Sequence, residues 1–500
     1  MSQYGEGTKT QNIYVDKPKK KRELNVRLSL FYDGTLNNRV NIEEREKAKI
    51  KDLPDSPYHS HSQDDTNSYD NGRTNIAIME PHLLKKSKGY DIAVKEYIEG
   101  QGTFNLEGDS TVGYSMGGFD SGVASRAEQG IDRGIDLIYS DIEPKRQCIK
   151  KLTIDVFGFS RGSATARYAI HLMLKGSTKW DSEYSDGYEQ VISPILESLA
   201  NRGIEIKEES VEICFAGLYD TVLSVYLSQY LPAYFVGNKL KQDAVKFAKK
   251  TLHLAAADEH RQDFPLHNIK SAGSKGEEYY LPGVHSDIGG SYNAASELSL
   301  AAENDLNKKV YMKTTDENNT IIHKSRRRKK LEADMEDLIK QGWYINNGSV
   351  NEIKINEKEY RKYRAGNKIP YYAKRYELEV NRTGINSAYC NIPLKIMAKY
   401  ARKKPVKLKI NDKLDDRAEI ILEPHADLIE LEGKIKKYIS DKKGNGKSKA
   451  KDWLGQDEEL NKYLIDNKFR HNHFNFSSKE SAGYSPRFKN GKRTRYVFKI

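Results

Sequence analysis

Residues 152–174 read LTIDVFGFSRGSATARYAIHLML. A short apolar, β-branched run (152–157) leads into the pentapeptide Gly158-Phe159-Ser160-Arg161-Gly162, and a helix-favouring run follows from Ala164. The order strand, Gly-flanked turn, helix is the context in which a G-x-S-x-G serine is exposed at the edge of a sheet on a sharp turn. Small residues at 158 and 162 let strand and helix pass closely. The helix then aims its positive N-terminal end at any anion forming beside the serine. The alternative is an ordinary strand-to-helix turn with a serine in it, and the pentapeptide alone does not separate the two. What surrounds it along the chain does.

Apolar β-branched runs alternate with helix-favouring ones over the first 300 of the 500 residues. VRLSLFYDGTLNN (26–38), DIAVKEYIEGQGT (91–103), LTIDVF (152–157), SVEICFAGLYDTV (210–222) and EEYYLPGVHSDIGG (277–290) read as strands ending in polar or Gly-rich turns. TNIAIMEPHLL, residues 124–140, 164–174 and AVKFAKKTLHLAAADE (244–259) read as helices. Such alternation predicts an α/β fold with a mostly parallel sheet flanked by helices, with its site at the carboxyl ends of the strands. Residues 39–72 read as an exposed loop. The expected division is a basic tail (1–23), a catalytic core (24–302), a charged insertion or cap (303–380) with a helix near 328–342, and a C-terminal helical region (381–500) that packs back on the core. Residues 440–457 read as a flexible loop.

Net charge is +12, and 31% of residues are charged. Basic clusters stand at 17–22 (KPKKKR), 323–330 (HKSRRRKK), 400–410 and in the final RFKNGKRTRYVFKI. They suit an anionic surface, whether lipid or nucleic acid, or plain solvated faces. No zinc finger or RNA-binding signature accompanies them, so nucleic acid is not expected as a partner. No apolar run is long enough to cross a bilayer. The N-terminal residues lack the apolar segment of a Sec signal, which predicts synthesis in the cytoplasm and any export by a machine that needs no cleaved signal. The three cysteines, Cys148, Cys214 and Cys390, form no metal-binding pair, and no cofactor or metal is expected.

A serine nucleophile needs a base, and a histidine base needs a carboxylate to fix its tautomer. In α/β-hydrolases these follow in the order serine, acid, histidine. Asp220, after the strand 210–219, and His285, in a loop rich in glycine, satisfy that order. Asp287 is the rival acid, being two residues from His285. His253, His260, His59, His61, His471 and His473 lie in helical or polar segments and are weaker bases. An oxyanion hole calls for the N–H of Arg161, the residue after the nucleophile, and a second N–H from an early strand end. FYDGT supplies the latter through Gly34 or Thr35, with Asp33 either supporting that site or satisfying its own turn. The apolar run 222–236 lines an acyl-chain groove, forms a lid, or is core helix.

Taken in order, LFYDGTLNN, YIEGQGT, GFSRGSATAR, GLYDTV, HLAAADEHRQDFPL and LPGVHSDIGGSY resemble the α/β-hydrolase domain of the GxSxG-class type VI secretion lipase effectors (Tle). The likeness spans residues 26–293 and resumes at CNIPLKIMAKYA and FRHNHFNFSSKESAGYSPRF. It implies phospholipase A1/A2 activity on membrane glycerophospholipids, with the triad carried onto Ser160, Asp220 and His285. It also implies delivery on a VgrG-type spike into target cells, acting in the periplasm or at membranes, and a cognate immunity protein. Tyr32, Ser163 and Ser291 depart from the usual Phe, Ala and Gly without removing a catalytic group. The competing expectations are a generic carboxylesterase of the same fold and an inactive hydrolase-fold scaffold with a basic surface.

Overall fold

The computed structural model describes residues 20–61, 68–110, 122–174, 193–206, 210–223, 240–261, 264–292, 305–318, 321–344, 353–363, 370–444, 458–472, 474, 487–489, 492–495 and 497–498. Its centre is a six-stranded sheet made of β1 (Arg22–Tyr32), β2 (Ile92–Ile98), β3 (Gln147–Phe159), β4 (Val211–Tyr219), β5 (Lys250–Ala256) and β7 (Gly276–Leu281); β6 (Leu266–His267) lies outside it. The order is β2-β1-β3-β4-β5-β7, and every neighbouring pair is parallel. Parallel strands are covered on both faces, so they read as near-continuous apolar runs, which is why they were visible in the sequence.

Alternate residues of each strand feed two apolar layers. Leu28, Leu30, Ile154 and Val156 pack with helices Val123–Asp141, Arg161–Leu174 and Pro194–Asn201. Phe31, Phe157, Phe159 and Phe215 face the other way, toward helices Asn75–His82 and Asn391–Arg402. Phe31 stacks on Phe157 with centroids 4.5 Å apart. Between β1 and β3 lies a buried ion pair: Arg27 Nε is 2.7 Å from Asp155 Oδ2, and Nη2 is 3.0 Å from Oδ1. The same guanidinium donates to the carbonyl of Val406, tying a C-terminal turn to the sheet.

Three segments differ from the sequence reading. The described part of the segment 39–72, residues 39–61 and 68–72, is not simply an exposed loop. It contains the helix Arg39–Lys51, capped by the Asn38 side chain, which accepts from the N–H groups of Val40 and Asn41. The helix's buried side sets Ile42 and Ala48 beside polar groups: the Asn41 amide donates to Ser68 and to the Phe104 carbonyl, and Arg45 donates to the Asn71 carbonyl. Two buried apolar residues in thirteen are too few to show an apolar stripe in the sequence. Residues 244–259 are not a helix either. A 3-10 turn (Gln242–Phe247) precedes strand β5, whose apolar run is continuous because both its faces are covered.

In the charged segment, the helix spans Ile321–Lys340, longer than expected, and three antiparallel strands accompany it: β8 (Asp305–Asn318), β9 (Ile353–Tyr363) and β10 (Pro370–Asn386), in the order β8-β10-β9. Lys, Glu and Asn, which are depleted in strands, conceal them in the sequence. Leu331, Leu338 and Trp343 join the same apolar cluster as Leu254 and Tyr280. Near the end of the chain, β11 (Arg487–Lys489) pairs with β12 (Lys492–Thr494), and β13 (Val497–Phe498) runs parallel to β6, with Val497 opposite Leu266. No helix among the described residues is long and apolar enough to cross a membrane.

Candidate active site

Four strand ends converge at the carboxyl edge of the sheet. Strand β3 ends at Phe159, and helix Arg161–Leu174 begins two residues later, leaving Ser160 alone in the turn with a φ of 58°. Left-handed backbone at a non-glycine residue is strained, and it persists only where the surroundings hold it. Here the Ser160 N–H donates to the Tyr219 carbonyl at 3.0 Å, and the Ser163 and Ala164 N–H groups close on the Ser160 carbonyl. Close approach demands glycine on both sides. A Cβ at Gly158 would lie 2.4 Å from the Gly162 carbonyl oxygen, and one at Gly162 would lie 2.3 Å from the carbonyls of Tyr32 and Asp33. Ser163 Oγ is 2.7 Å from the Gly158 carbonyl and 2.9 Å from that of Tyr219, donating to one of them at a time.

Asp220 follows β4, is fully buried, and also has positive φ, 34°. Its Oδ1 accepts from the Ala256 N–H at 2.9 Å. Its Oδ2 lies 2.6 Å from His285 Nδ1. His285 opens the short helix His285–Gly289 and is 5% exposed. With Nδ1 turned to Asp220, Nε2 is the nitrogen left to face a hydroxyl, and the imidazole lies over the Phe159 ring at 4.6 Å, beside the residue that precedes Ser160. Phe264 meets the same imidazole edge-on at 5.1 Å. Burial pushes the His285 pKa down, against the pull of Asp220, which favours the neutral imidazole that a general base requires. Burial pushes the Asp220 carboxyl up, but Arg495 and His285 outweigh it and hold the group below the ordinary range.

The rival acid has other work. Asp287 accepts from the Val284 N–H at 2.7 Å and from the Tyr292 hydroxyl, which fixes the turn into the His285 helix. Asp33, at the end of β1, is 1% exposed and accepts from Gly34 N–H (2.7 Å), Thr74 Oγ1 (2.6 Å) and Tyr97 OH (2.6 Å). Burial raises its pKa to about 6, against those three bonds. Because Gly34 N–H is held by Asp33, it must leave that carboxylate to serve an oxyanion. Thr35 is the other residue of the same turn named by the sequence. Arg161 is the first residue of its helix, at the positive end of the helix dipole.

Several supporting residues escaped the sequence reading. Arg495, inside a run read as solvated or polyanion-binding charge, is buried with Nη2 3.2 Å from Asp220 Oδ2. Glu259 accepts from the His285 N–H at 3.2 Å and from Arg261. Asp258 accepts from the Gly283 N–H at 2.7 Å and from Arg470, which also donates to the Gln341 carbonyl. His253, expected in a helix, sits in β5; its Nε2 accepts from the Thr221 N–H, and its Nδ1 is 2.8 Å from Glu278. Glu259 and Asp258 stand in a quoted motif and had a signal; a buried arginine well past the last helix, Phe469–Asn472, had none. Residues 224–239, which hold most of the expected acyl-chain segment, lie outside the described residues, as do residues 445–457 of the expected flexible loop and His473. Among the described residues, no group of three or more His, Cys, Asp and Glu is placed to hold a metal.

A parallel sheet with a strained serine at one strand end and a buried His–Asp pair at two others defines an α/β-hydrolase-like protein. A family model described as "T6SS, Phospholipase effector Tle1-like, catalytic domain" matches residues 27–308, more than half of the chain. The chain therefore belongs to the Tle1-like phospholipase effectors of the type VI secretion system, a family of lipid-hydrolysing toxins. Among solved structures, it is similar to the Tle1 effector bound to the VgrG spike, with 19% identity, a TM-score of 0.58 and 99% of each chain covered. An uncharacterized protein from Pseudomonas aeruginosa matches 53% of this chain and 42% of its own, with 19% identity and a TM-score of 0.31. No curated protein matches.

Proposed function

We propose that the protein is a serine phospholipase of the A1/A2 type in which Ser160 is the acylated nucleophile, His285 the general base and acid, and Asp220 the orienting carboxylate. The observation that carries this reading is the 2.6 Å contact between His285 Nδ1 and Asp220 Oδ2, in the sheet edge where Ser160 holds a left-handed turn. Ser160 Oγ attacks the acyl carbonyl carbon while His285 Nε2 takes its proton. The oxyanion draws on the Arg161 N–H and the Gly34–Thr35 turn. Collapse breaks the bond to the glycerol oxygen, which leaves with the proton from His285 as lysophospholipid. Water, deprotonated by the same nitrogen, then releases the fatty acid and restores Ser160.

Membrane glycerophospholipid is the substrate this reading takes, and a net charge of +12 favours an anionic bilayer surface. The solved relative is a Tle1 effector bound to the VgrG spike, and we extend a VgrG-type carrier, and a cognate immunity protein, to this chain. The test is mass spectrometry of phosphatidylethanolamine and phosphatidylglycerol vesicles after incubation with the protein and with Ser160→Ala. Equal release of fatty acid and lysophospholipid by the wild type alone is expected. Turnover of soluble short esters without lipid release would make the protein a generic esterase.

A further inference from the structure

The chain's last strands reach into the hydrolytic centre. β13 pairs with β6 in parallel register, Val497 opposite Leu266 and Phe498 opposite His267. β6 and the residues flanking it are held from the helix Arg161–Leu174, which with the Ser160 turn forms the elbow: Arg167, fully buried, donates to the carbonyls of Gln242, His267 and Asn268. Arg495, two residues before β13, is thereby carried under the sheet edge. Its Nη2 lies 3.2 Å from Asp220 Oδ2 and 2.8 Å from the Phe264 carbonyl, whose ring packs on His285. Asp220 Oδ2 is the same oxygen that accepts from His285 Nδ1. One carboxylate oxygen thus lies between the imidazole and a cation.

We propose that Arg495 is a positioning residue of the hydrolytic site, its guanidinium keeping Asp220 ionised and aimed at His285, and that the pairing of β13 with β6 is what anchors it there. The proposal rests on the triad reading above. Its physical logic is that Asp220 is fully buried, and a carboxylate without a cation in such a place takes up a proton or passes the burden to its imidazole partner. The charged groups around the pair are Asp220 from the end of β4, Glu259, His260 and Arg261 from the loop after β5, and Arg495 from the chain end. Glu259 is matched by Arg261, with Nη2 to Oε2 at 2.9 Å. Arg495 is the matching charge for Asp220. Removing it leaves one uncompensated anion, and the His–Asp pair then binds a proton more tightly whichever residue carries it.

The experiment compares wild type, Arg495→Met, Arg495→Lys and Ser160→Ala on a short soluble ester from pH 5 to 10, after counting active sites with a fluorophosphonate. Arg495→Met should move the acidic limb of kcat/KM upward by roughly one to three pH units, the range for a nearby opposite charge, and lose about 10²-fold at pH 7, with partial recovery at high pH. Arg495→Lys should keep the limb near its wild-type position. A purely structural role would instead lower the count of labelled sites and the melting temperature, leaving the limb in place for the sites that remain. That result, or a Lys variant shifted like the Met variant, overturns the proposal. Should Arg495→Met fail to fold, Arg495→Gln is measured for the same shift, and an unmoved limb there overturns it equally. Failure of the triad reading is recognisable separately, because Ser160→Ala would then still be labelled and active.

Discussion

His285 Nδ1 and Asp220 Oδ2 are 2.6 Å apart in a pocket that buries both residues, whereas Asp287 spends its carboxylate on the Val284 N–H and the Tyr292 hydroxyl. Two neighbouring acids are thus given different tasks. Ser160→Ala and His285→Ala should each lower kcat by about 10⁴-fold or more while leaving the circular dichroism spectrum unchanged. Asp220→Asn should cost far more activity than Asp287→Asn, and Asp287→Asn should cost mainly melting temperature. A larger catalytic loss at 287 than at 220 would reverse the assignment.

The pentapeptide that holds Ser160 is sensitive to a single methyl group. A Cβ on Gly162 would overlap two backbone carbonyls at 2.3 Å, and backbone has no rotamer to escape through. Gly162→Ala should push the helix Arg161–Leu174 off the end of β1, lowering the unfolding free energy by roughly 1–3 kcal/mol, the usual cost of overpacking. It should also cut esterase activity well over 10-fold. Near-normal turnover in that variant would mean that the elbow is looser than its contacts indicate.

Asp33 gives a pH signature of folding. Its carboxyl is nearly fully buried, and its pKa rises from the ordinary 3.8 to about 6. A raised pKa means the folded state holds the proton more tightly than the unfolded chain. The associated stability is complete below about pH 4 and is lost as pH rises through about 6. Compared with Asp33→Asn, the wild type should lose on the order of 3 kcal/mol across that window, and the difference should level off above it. Urea midpoints of both proteins between pH 4 and 8 measure this. A flat difference would mean that the bonds from Thr74, Tyr97 and Gly34 outweigh burial.

How legible the molecule was in sequence follows from what kind of signal each part leaves. β1, β3 and β4 are apolar for most of their buried length, broken chiefly by the Arg27–Asp155 pair, and the glycines at 158 and 162 stand where two backbones cross, so these strands and the serine turn are legible in the sequence. β5 was mistaken for helix because a short apolar run carries no period that distinguishes the two. The helix Arg39–Lys51 is hidden in the sequence because Asn41 and Arg45, held by hydrogen bonds, share its buried side with only Ile42 and Ala48. Arg495 could not be read at all. Its neighbours Lys492 and Arg493 have the same composition, and only the pairing of β13 with β6, a contact across 230 residues, selects which cation is buried.

Inside the sheet, Arg27 and Asp155 form a two-bond ion pair with side chains 3% and 0% exposed. Breaking such a pair strands a charge in the core, which costs more than the pair itself contributes. Asp155→Ala should therefore destabilise the protein by about 3–5 kcal/mol, with additional loss from the freed Arg27 contact to Val406. Replacing both residues by apolar ones, Arg27→Met with Asp155→Leu, should recover much of that loss, because no charge is then left behind. Chemical denaturation of Asp155→Ala and of the double variant tests the argument. A double variant less stable than Asp155→Ala would show that the Arg27 bridge to Val406, joining the sheet to the C-terminal half, matters more than the pair's electrostatics. Activity supplies the second readout: the pair lies several residues before the strand ends that carry Asp33 and Ser160, so the folded double variant should hydrolyse a soluble ester at close to the wild-type rate.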